Sequence, residues 1–212
     1  MDYGSLAGEV FPDEETPLHL AIRWDWFKLA GILLEYGADA NAENNQGMTP
    51  LHILSKSSIK HEGSVLDHAL LLLKHGAEVN KGDKGNQTPL HLALQRNRFR
   101  LAGILLEHGA DVIAENKKGR TPLHMVSRGA YISQEDGIRI AQLLLEYGAD
   151  VNAQDNNHMT PLDFASHHGN LEIASFFSRY SAKADAKVNQ GPNPDLLELK
   201  GADFHNKPAQ SK

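Results

Sequence analysis

The chain contains no cysteine among its 212 residues. It therefore has no disulfide framework, no catalytic thiol and no thiolate-bound zinc, and we expect an intracellular protein, cytoplasmic or nuclear. No apolar run approaches the roughly 20 residues that a membrane-spanning helix needs. Residues 1–6 lack the basic and apolar segments of a secretory signal. A secreted or membrane-embedded protein is therefore not expected.

Excess positive charge and enzyme signatures are also missing. Acidic residues outnumber basic ones by 27 to 21, for a formal net charge of −6. Nucleic-acid binding is not expected, because it depends on many cationic contacts to phosphates. The chain has no Gly-rich phosphate loop, no His-Glu-x-x-His and no Gly-x-Ser-x-Gly. Glu135 and Asp136 are assigned to a solvated loop, so no catalytic residue, cofactor or metal is predicted.

What the chain does contain is an internal repeat. The tetrapeptide Thr-Pro-Leu-His, or its variant Thr-Pro-Leu-Asp, begins at Thr16, Thr49, Thr88, Thr121 and Thr160. Successive threonines are 33, 39, 33 and 39 residues apart, and a period near 33 predicts a solenoid. Each threonine suits a helix N-cap, and the proline after it suits the first helical position. Apolar residues at helical spacing follow, and a glycine such as Gly37 can end a second helix.

These motifs, the paired helical stripes and finger sequences such as 38–42 resemble the ankyrin-repeat family over about residues 16–192. The resemblance implies an all-α solenoid of stacked helix-turn-helix repeats with short β-hairpin fingers. It also implies a non-enzymatic protein-interaction module. Stacking lets repeats bury a shared core that no single repeat could form. We expect a capping segment over 1–15, repeats over 16–48, 49–87, 88–120, 121–159 and 160–192, a degenerate half-repeat over 193–200 and a disordered tail over 201–212.

The alternating spacing indicates duplication of a two-repeat unit of 72 residues, and Leu-Ala-Gly-Ile-Leu-Leu-Glu occurs at both 29–35 and 101–107. The six extra residues of the longer repeats are placed between their two helices, around 57–63 and 129–137. Two interpretations stay open. The insertions are tolerated surface loops, which cost little to lengthen, or they wall a ligand site.

Four histidines occupy the fourth motif position, one in each of the first four repeats: His19, His52, His91 and His124. Adjacent repeats stack about 8–10 Å apart, whereas zinc ligands lie about 2 Å from the ion, so these side chains cannot share a metal. The family resemblance implies a structural role, with bonds to the motif threonine and to neighbouring backbone. His167 and His168 point in different directions on a helix, so a chelate is not expected.

Some positions depart from the family pattern. Asp25 and Asn97 replace the glycine between the helices, and both residue types tolerate the left-handed conformation, so the turn should survive. Ile113 replaces the asparagine at the start of a finger, and His158 replaces the glycine before the fifth motif. These changes weaken single fingers but not the fold assignment.

The resemblance also implies a binding surface on the finger tips and the concave side of the first helices. Positions seven and eight after each motif threonine, with the fingers, give a largely basic set that predicts an acidic protein or peptide partner. If Trp26 and Phe27 pack between the helices, Trp24 is left on the concave side. The alternatives are an ordinary solvated helix face, for Trp24 a role as cover for the first repeat, and, for the chain as a whole, a recognition domain of a larger enzyme or receptor. We expect a monomer. The partner-binding candidates are Arg23, Trp24, Lys56, Lys84, Gln95, Arg96, Lys117, Lys118, Arg120, Arg128, His167 and His168.

Overall fold

A computed structural model describes residues 14–128 and 134–188. These residues form ten α-helices in five pairs. The helices are α1 (Pro17–Arg23), α2 (Phe27–Glu35), α3 (Pro50–Lys56), α4 (Glu62–Lys74), α5 (Pro89–Gln95), α6 (Phe99–Glu107), α7 (Pro122–Ser127), α8 (Gln134–Glu146), α9 (Pro161–His167) and α10 (Leu171–Val188).

The first helix of every pair starts at a motif threonine in extended conformation, followed by proline at the first helical position. The side chain three residues later closes the cap. His91 Nδ1 accepts a hydrogen bond from the Thr88 backbone N–H at 3.2 Å, and Asp163 does the same for Thr160 at 2.9 Å. This reciprocal cap satisfies donors that a helix N-terminus leaves unpaired, so helices of only six or seven residues are stable there.

The helices form two rows. The odd-numbered helices pack side by side as an inner row, and the even-numbered helices pack behind them as an outer row. The core lies between the rows and is continuous from Leu18 to Phe177. The predicted all-α ankyrin-type solenoid is confirmed.

The fingers between the pairs are built from tight turns, and the described residues contain no β-strand. In the first finger Asn44 N–H donates to the Met48 carbonyl at 3.0 Å. Neighbouring fingers are joined through backbone bonds of 2.9 Å, from Lys84 N–H to Gln46, from Lys117 N–H to Gly85, and from Asn156 N–H to Lys118. The finger tips therefore form a connected row.

Left-handed residues make the turns. Asp25 and Asn97 have φ values of 60° and 58°, so the prediction that these two replacements preserve the turn is confirmed. The second residue before each motif threonine is also left-handed, including His158 with φ 61°. A glycine occupies that place only before Thr49 and Thr121.

The insertions are mainly helical, so the prediction that all six residues lie between the helices was wrong. α4 has 13 residues against 9 in α2, and its connection to α3 is 57–61 against 24–26 in the first repeat. Four extra residues therefore lengthen the outer helix by about one turn. Glu62 lies in its first turn, where a negative charge is favourable. α8 also has 13 residues, and Glu135 and Asp136 lie in its first turn instead of a loop.

The last helix differs from the others. Ser181 stands where the first four pairs end in glycine, and α10 continues through it to Val188. Helix therefore continues where each of the first four pairs is followed by a finger. Residues 1–13 of the expected capping segment over 1–15, the half-repeat over 193–200 and the tail over 201–212 lie outside the described residues. No helix in the described ranges has the length and apolarity to cross a membrane.

Asparagines at the start of two fingers connect consecutive repeats. Asn41 Nδ2 donates to the Gly76 carbonyl at 2.8 Å, and its Oδ1 accepts from Glu78 N–H at 2.7 Å. Asn80 makes the same pair of bonds to the third repeat, at 2.9 and 2.8 Å. Ile113 occupies the next such place and is 60% exposed. It has no amide with which to join the third repeat to the fourth.

Replacing Ile113 with asparagine is expected to stabilise the protein by about 1 kcal/mol, the net value of an added hydrogen bond. The amide would reach the Gly148 carbonyl and the Asp150 N–H, the counterparts of the groups that Asn41 binds. Urea denaturation would measure the change. Ile113→Ala is the control, because it removes the same exposed side chain without adding an amide. Equal stability of the two variants would contradict the expectation.

Candidate protein-binding surface

The motif histidines connect each repeat to the next one. All four are fully buried. His91 Nδ1 lies 2.9 Å from the Thr88 hydroxyl, and its Nε2 lies 2.9 Å from the Arg120 carbonyl oxygen in the next repeat. His19, His52 and His124 make the same contacts to Met48, Gln87 and Met159, at 2.8–3.0 Å. Since Nδ1 accepts from a backbone N–H, Nε2 carries the proton and donates it to the carbonyl.

Both ring nitrogens are thus used within the protein, and neither is available to a metal. Across residues 14–128 and 134–188, no group of three or more His, Cys, Asp or Glu side chains is placed to hold an ion. His168 Nδ1 lies 2.8 Å from the Phe164 carbonyl, and its ring stacks on Phe164 with centroids 5.0 Å apart. His167 is exposed beside it.

The predicted binding positions fall at the C-terminal ends of the inner helices. Lys56 is the last residue of α3, and Arg96 and Arg128 are the C-caps of α5 and α7. Because consecutive inner helices pack side by side, their ends form a row across the solenoid. The residues of this basic row are Arg23, Lys56, Arg96 and Arg128, with Trp24, Gln95, His167 and His168 at equivalent helix ends.

The cations of this surface differ in whether they are already paired. The Arg23 guanidinium contacts the buried Glu15 carboxylate. Arg120 contacts Asp155 at 3.2 Å and lies 4.5 Å from the centre of the Phe164 ring. Burial alone would raise the pKa of Asp155, but the Asn157 and Met159 N–H groups and Arg120 outweigh it and hold that pKa below its usual value. Arg23 and Arg120 therefore have structural partners that a ligand would have to share.

Other cations of the set are exposed and make no ion pair with the described part of the chain. On the basic row these are Arg96 and Arg128. On the finger tips they are Lys84, Lys117 and Lys118. Lys84 and Lys117 belong to fingers that are bonded directly to each other, so the three lysines lie close together.

The aromatic residues of the first repeat lie largely at the surface. Trp24 is 62% exposed, but Trp26 and Phe27 are also exposed, at 54% and 43%. The condition that Trp26 and Phe27 pack between the helices, from which the placement of Trp24 was argued, is therefore not met. The rings of Phe27 and His68 are nearly perpendicular, with centroids 5.2 Å apart. The helices that pack against α2 are α1 and α4, and neither covers the remainder of this aromatic group.

A contact that sequence reasoning missed fixes the first insertion. Arg98 comes from the third repeat, and its Nη2 donates to the carbonyls of Ser57 and Ile59 at 2.6 and 3.0 Å. Burial lowers the pKa of Arg98, and these two carbonyls replace part of its lost hydration. The only feature of the sequence that could have indicated this contact is the position of Arg98 just before α6, in the repeat that follows the insertion. The structure describes no counterpart for the second insertion, because residues 129–133 lie outside the described ranges.

Stacked helix pairs, bonded finger tips and an exposed row of helix ends define a helical-repeat solenoid with an extended surface instead of a deep pocket. The chain belongs to the ankyrin-repeat family. The family model described as ankyrin repeats in three copies matches residues 3–83, 59–155 and 114–190. Ankyrin repeats are protein–protein interaction modules.

Curated relatives match over short stretches. Ankyrin repeat and SOCS box protein 11 of Danio rerio is 51% identical over 47 residues, which are 22% of this chain and 16% of that protein. Rabankyrin-5 of Mus musculus is 39% identical over 59 residues, 28% of this chain and 5% of that protein. Rabankyrin-5 of Homo sapiens is 44% identical over 45 residues, 21% of this chain and 4% of that protein. The match therefore spans a small part of each relative.

Replacing His91 with alanine is expected to destabilise the protein by about 1–3 kcal/mol, because it leaves the buried Arg120 carbonyl and Thr88 groups without a partner. Chemical denaturation would give the change, and elemental analysis should find the same metal content before and after it. Stoichiometric zinc that disappears with His91 would contradict the structural role.

The stability of the protein is also expected to fall in mild acid. Burial lowers the pKa of His19, His52, His91 and His124 below 6.5 in the folded state. The unfolded chain therefore binds more protons than the folded chain, and stability is lost as the pH falls below about 6.5. Each histidine contributes a slope of at most about 1.4 kcal/mol per pH unit. Unfolding measured from pH 7.5 to 5 should show this decline, and His91→Ala should make it shallower; a pH-independent stability would contradict the assignment.

Proposed function

We propose that this chain is a non-enzymatic interaction module, a scaffold, adaptor or inhibitor, that binds an acidic segment of a partner protein along the basic row and the finger tips. The observation that carries the proposal is the pair Arg96 and Arg128, two exposed cations on inner helices that pack side by side, with no ion pair in the described residues. The lysines at 84, 117 and 118 extend the same charge onto the fingers.

The distribution of acidic residues supports this orientation. The protein has a net charge of −6, yet exposed carboxylates concentrate on the outer helices, at Glu35, Glu107 and Glu146, and at the starts of the fingers. An acidic partner is therefore attracted to the inner surface and repelled elsewhere, which would orient it during encounter. The cysteine-free composition supports an intracellular setting, in the cytoplasm or nucleus.

A second reading is that the chain is the recognition domain of a larger enzyme or receptor. The observation that favours it is the small share of each relative that the match covers, 16% of one and 5% of another. The binding surface would be the same, and the catalytic or signalling part would lie elsewhere.

Reversing Arg96 and Arg128 together to glutamate should abolish capture of the partner at low salt, because the encounter loses its electrostatic attraction. The measurement is affinity capture from cell extract with mass spectrometry, followed by binding kinetics with the captured protein. Association should slow by at least about 10-fold at low ionic strength. Trp24→Ala should act mainly on dissociation, since it removes apolar contact.

The matched control reverses Lys74 on α4 and Arg179 on α10, which are exposed on the outer helices. It makes the same change in net charge without touching the inner surface. A partner that binds the Arg96 and Arg128 variant normally and loses affinity for this control would place the interface on the convex side and refute the proposal.

A further inference from the structure

The same seven residues occur twice in this chain in different surroundings. Leu-Ala-Gly-Ile-Leu-Leu-Glu forms most of α2 in the first repeat and of α6 in the third. In α6, Leu101, Ile104 and Leu105 are at most 8% exposed. In α2 the equivalent Ile32 is 50% exposed, and Leu29 and Leu33 are only partly buried.

Among the described helices, α2 has an outer-row neighbour on one side only. α6 packs between α4 and α8, whereas α2 packs against α4 alone in the outer row. α4 lies on the side of α2 that corresponds to the α8 side of α6. The exposed stripe of α2 is therefore the stripe that α6 buries against α4. We call it the N-terminal seam and define it as Leu29, Ile32 and Leu33; Tyr36, which is 88% exposed, lies next to its C-terminal end.

Charged residues border the seam in a pattern that can pair with itself. Lys28 and Glu35 are seven residues apart, so they lie about two turns apart on the same side of α2. Both are exposed, and neither forms an ion pair with the described residues. The counterpart of Lys28 in the third repeat is Arg100, which pairs with Glu62 of α4 at 3.6 Å. Where the seam is covered, this cation thus receives a carboxylate from the covering helix.

We propose that the N-terminal seam is the interface of a homodimer, in which α2 of a second copy covers it in antiparallel orientation. A two-fold axis between the helices would bring Ile32 of both copies together at the centre, and the same surface would serve both subunits. Lys28 would then face Glu35 of the partner subunit, and Glu35 would face Lys28 of the partner subunit. Trp26 would lie at the rim, whereas Phe27 packs against His68 of α4 on the other side of α2.

The proposed homodimer differs from the monomer that we expected from the sequence. Its interface does not include the basic row, so it is independent of the proposed partner-binding surface. The second copy supplies what α4 supplies to α6, an apolar helix with a carboxylate opposite a cation. The apolar face and both charges come from one short helix, so the surface is complementary to itself. Exposed aromatic residues next to an apolar stripe are typical of an interface centre and its border.

Sedimentation equilibrium of the full chain, from about 1 to 200 µM to cover the micromolar range of weak dimers, tests the proposal. The mass should rise toward twice the 23.3 kDa of the monomer. Ile32→Glu should keep the protein monomeric throughout. Ile113→Glu is the matched control and should still dimerise, because Ile113 is an equally exposed isoleucine, at 60%, on a distant finger. A monomeric wild type, or equal loss of dimer in both variants, would overturn the proposal.

The charge pair tests the orientation without touching the apolar stripe. Lys28→Glu should weaken dimerisation by placing two carboxylates opposite each other in each half of the interface, by at least about 5-fold at low salt. Adding Glu35→Lys should restore it, since each glutamate then faces a lysine again. Failure of the double variant to recover while circular dichroism shows full helix content would overturn the antiparallel arrangement. Arg96→Glu with Arg128→Glu should leave dimerisation unchanged, which separates this interface from the proposed partner surface.

Discussion

The hydrogen bond from each motif histidine to the next repeat is the contact on which the solenoid depends. A single ring accepts from the threonine backbone that caps its own helix and donates to the carbonyl that precedes the next motif threonine. Helix initiation and repeat stacking are therefore set by the same side chain. Because the ring is fully buried, losing either bond would leave a polar group without water, and this is costly. The finger asparagines repeat the principle at the surface, where the two bonds of Asn41 also join adjacent repeats.

Because each repeat bonds only to its neighbours, the first and fifth of the described repeats make fewer contacts with other repeats than the middle ones do. Asp163 replaces the histidine in the fifth repeat and closes its own cap, but the carboxylate has no N–H to pass on to a further repeat. In the first repeat, α2 has the apolar stripe of a middle repeat although it has only one outer neighbour among the described helices. The duplicated sequence makes the contrast direct, because identical residues are buried in α6 and exposed in α2. The exposed apolar stripe of α2 is the surface on which the proposed homodimer rests.

Much of this architecture was predictable, and what was not has physical causes. The motif threonine and proline fix where each inner helix starts, and Asp25 and Asn97 fix the turns, because caps and left-handed positions restrict residue type strongly. The predicted location of the insertions was wrong, because hydrophobic periodicity does not distinguish helix from loop in the residues that follow Ser57. The Arg98 contact joins residues 39 and 41 positions apart in the sequence. The exposure of Trp26 depends on which helices pack against α2. Neither follows from local pattern.

In the candidate site, too, the residue types could be read from the sequence, but the contacts that each side chain makes could not. Sequence identified a line of cations but could not distinguish Arg120, which is held by Asp155 and Phe164, from Arg96, which is exposed and forms no ion pair with the described residues. The difference affects the binding free energy of a ligand, because a cation that is already paired with a buried carboxylate attracts an acidic ligand less strongly. The attraction available to an acidic segment is therefore concentrated on Arg96, Arg128 and the lysines of two adjacent fingers, in the middle repeats. The first repeat contributes aromatic surface instead, so the two ends of the row differ in chemistry, and a partner that spans it would have a defined direction.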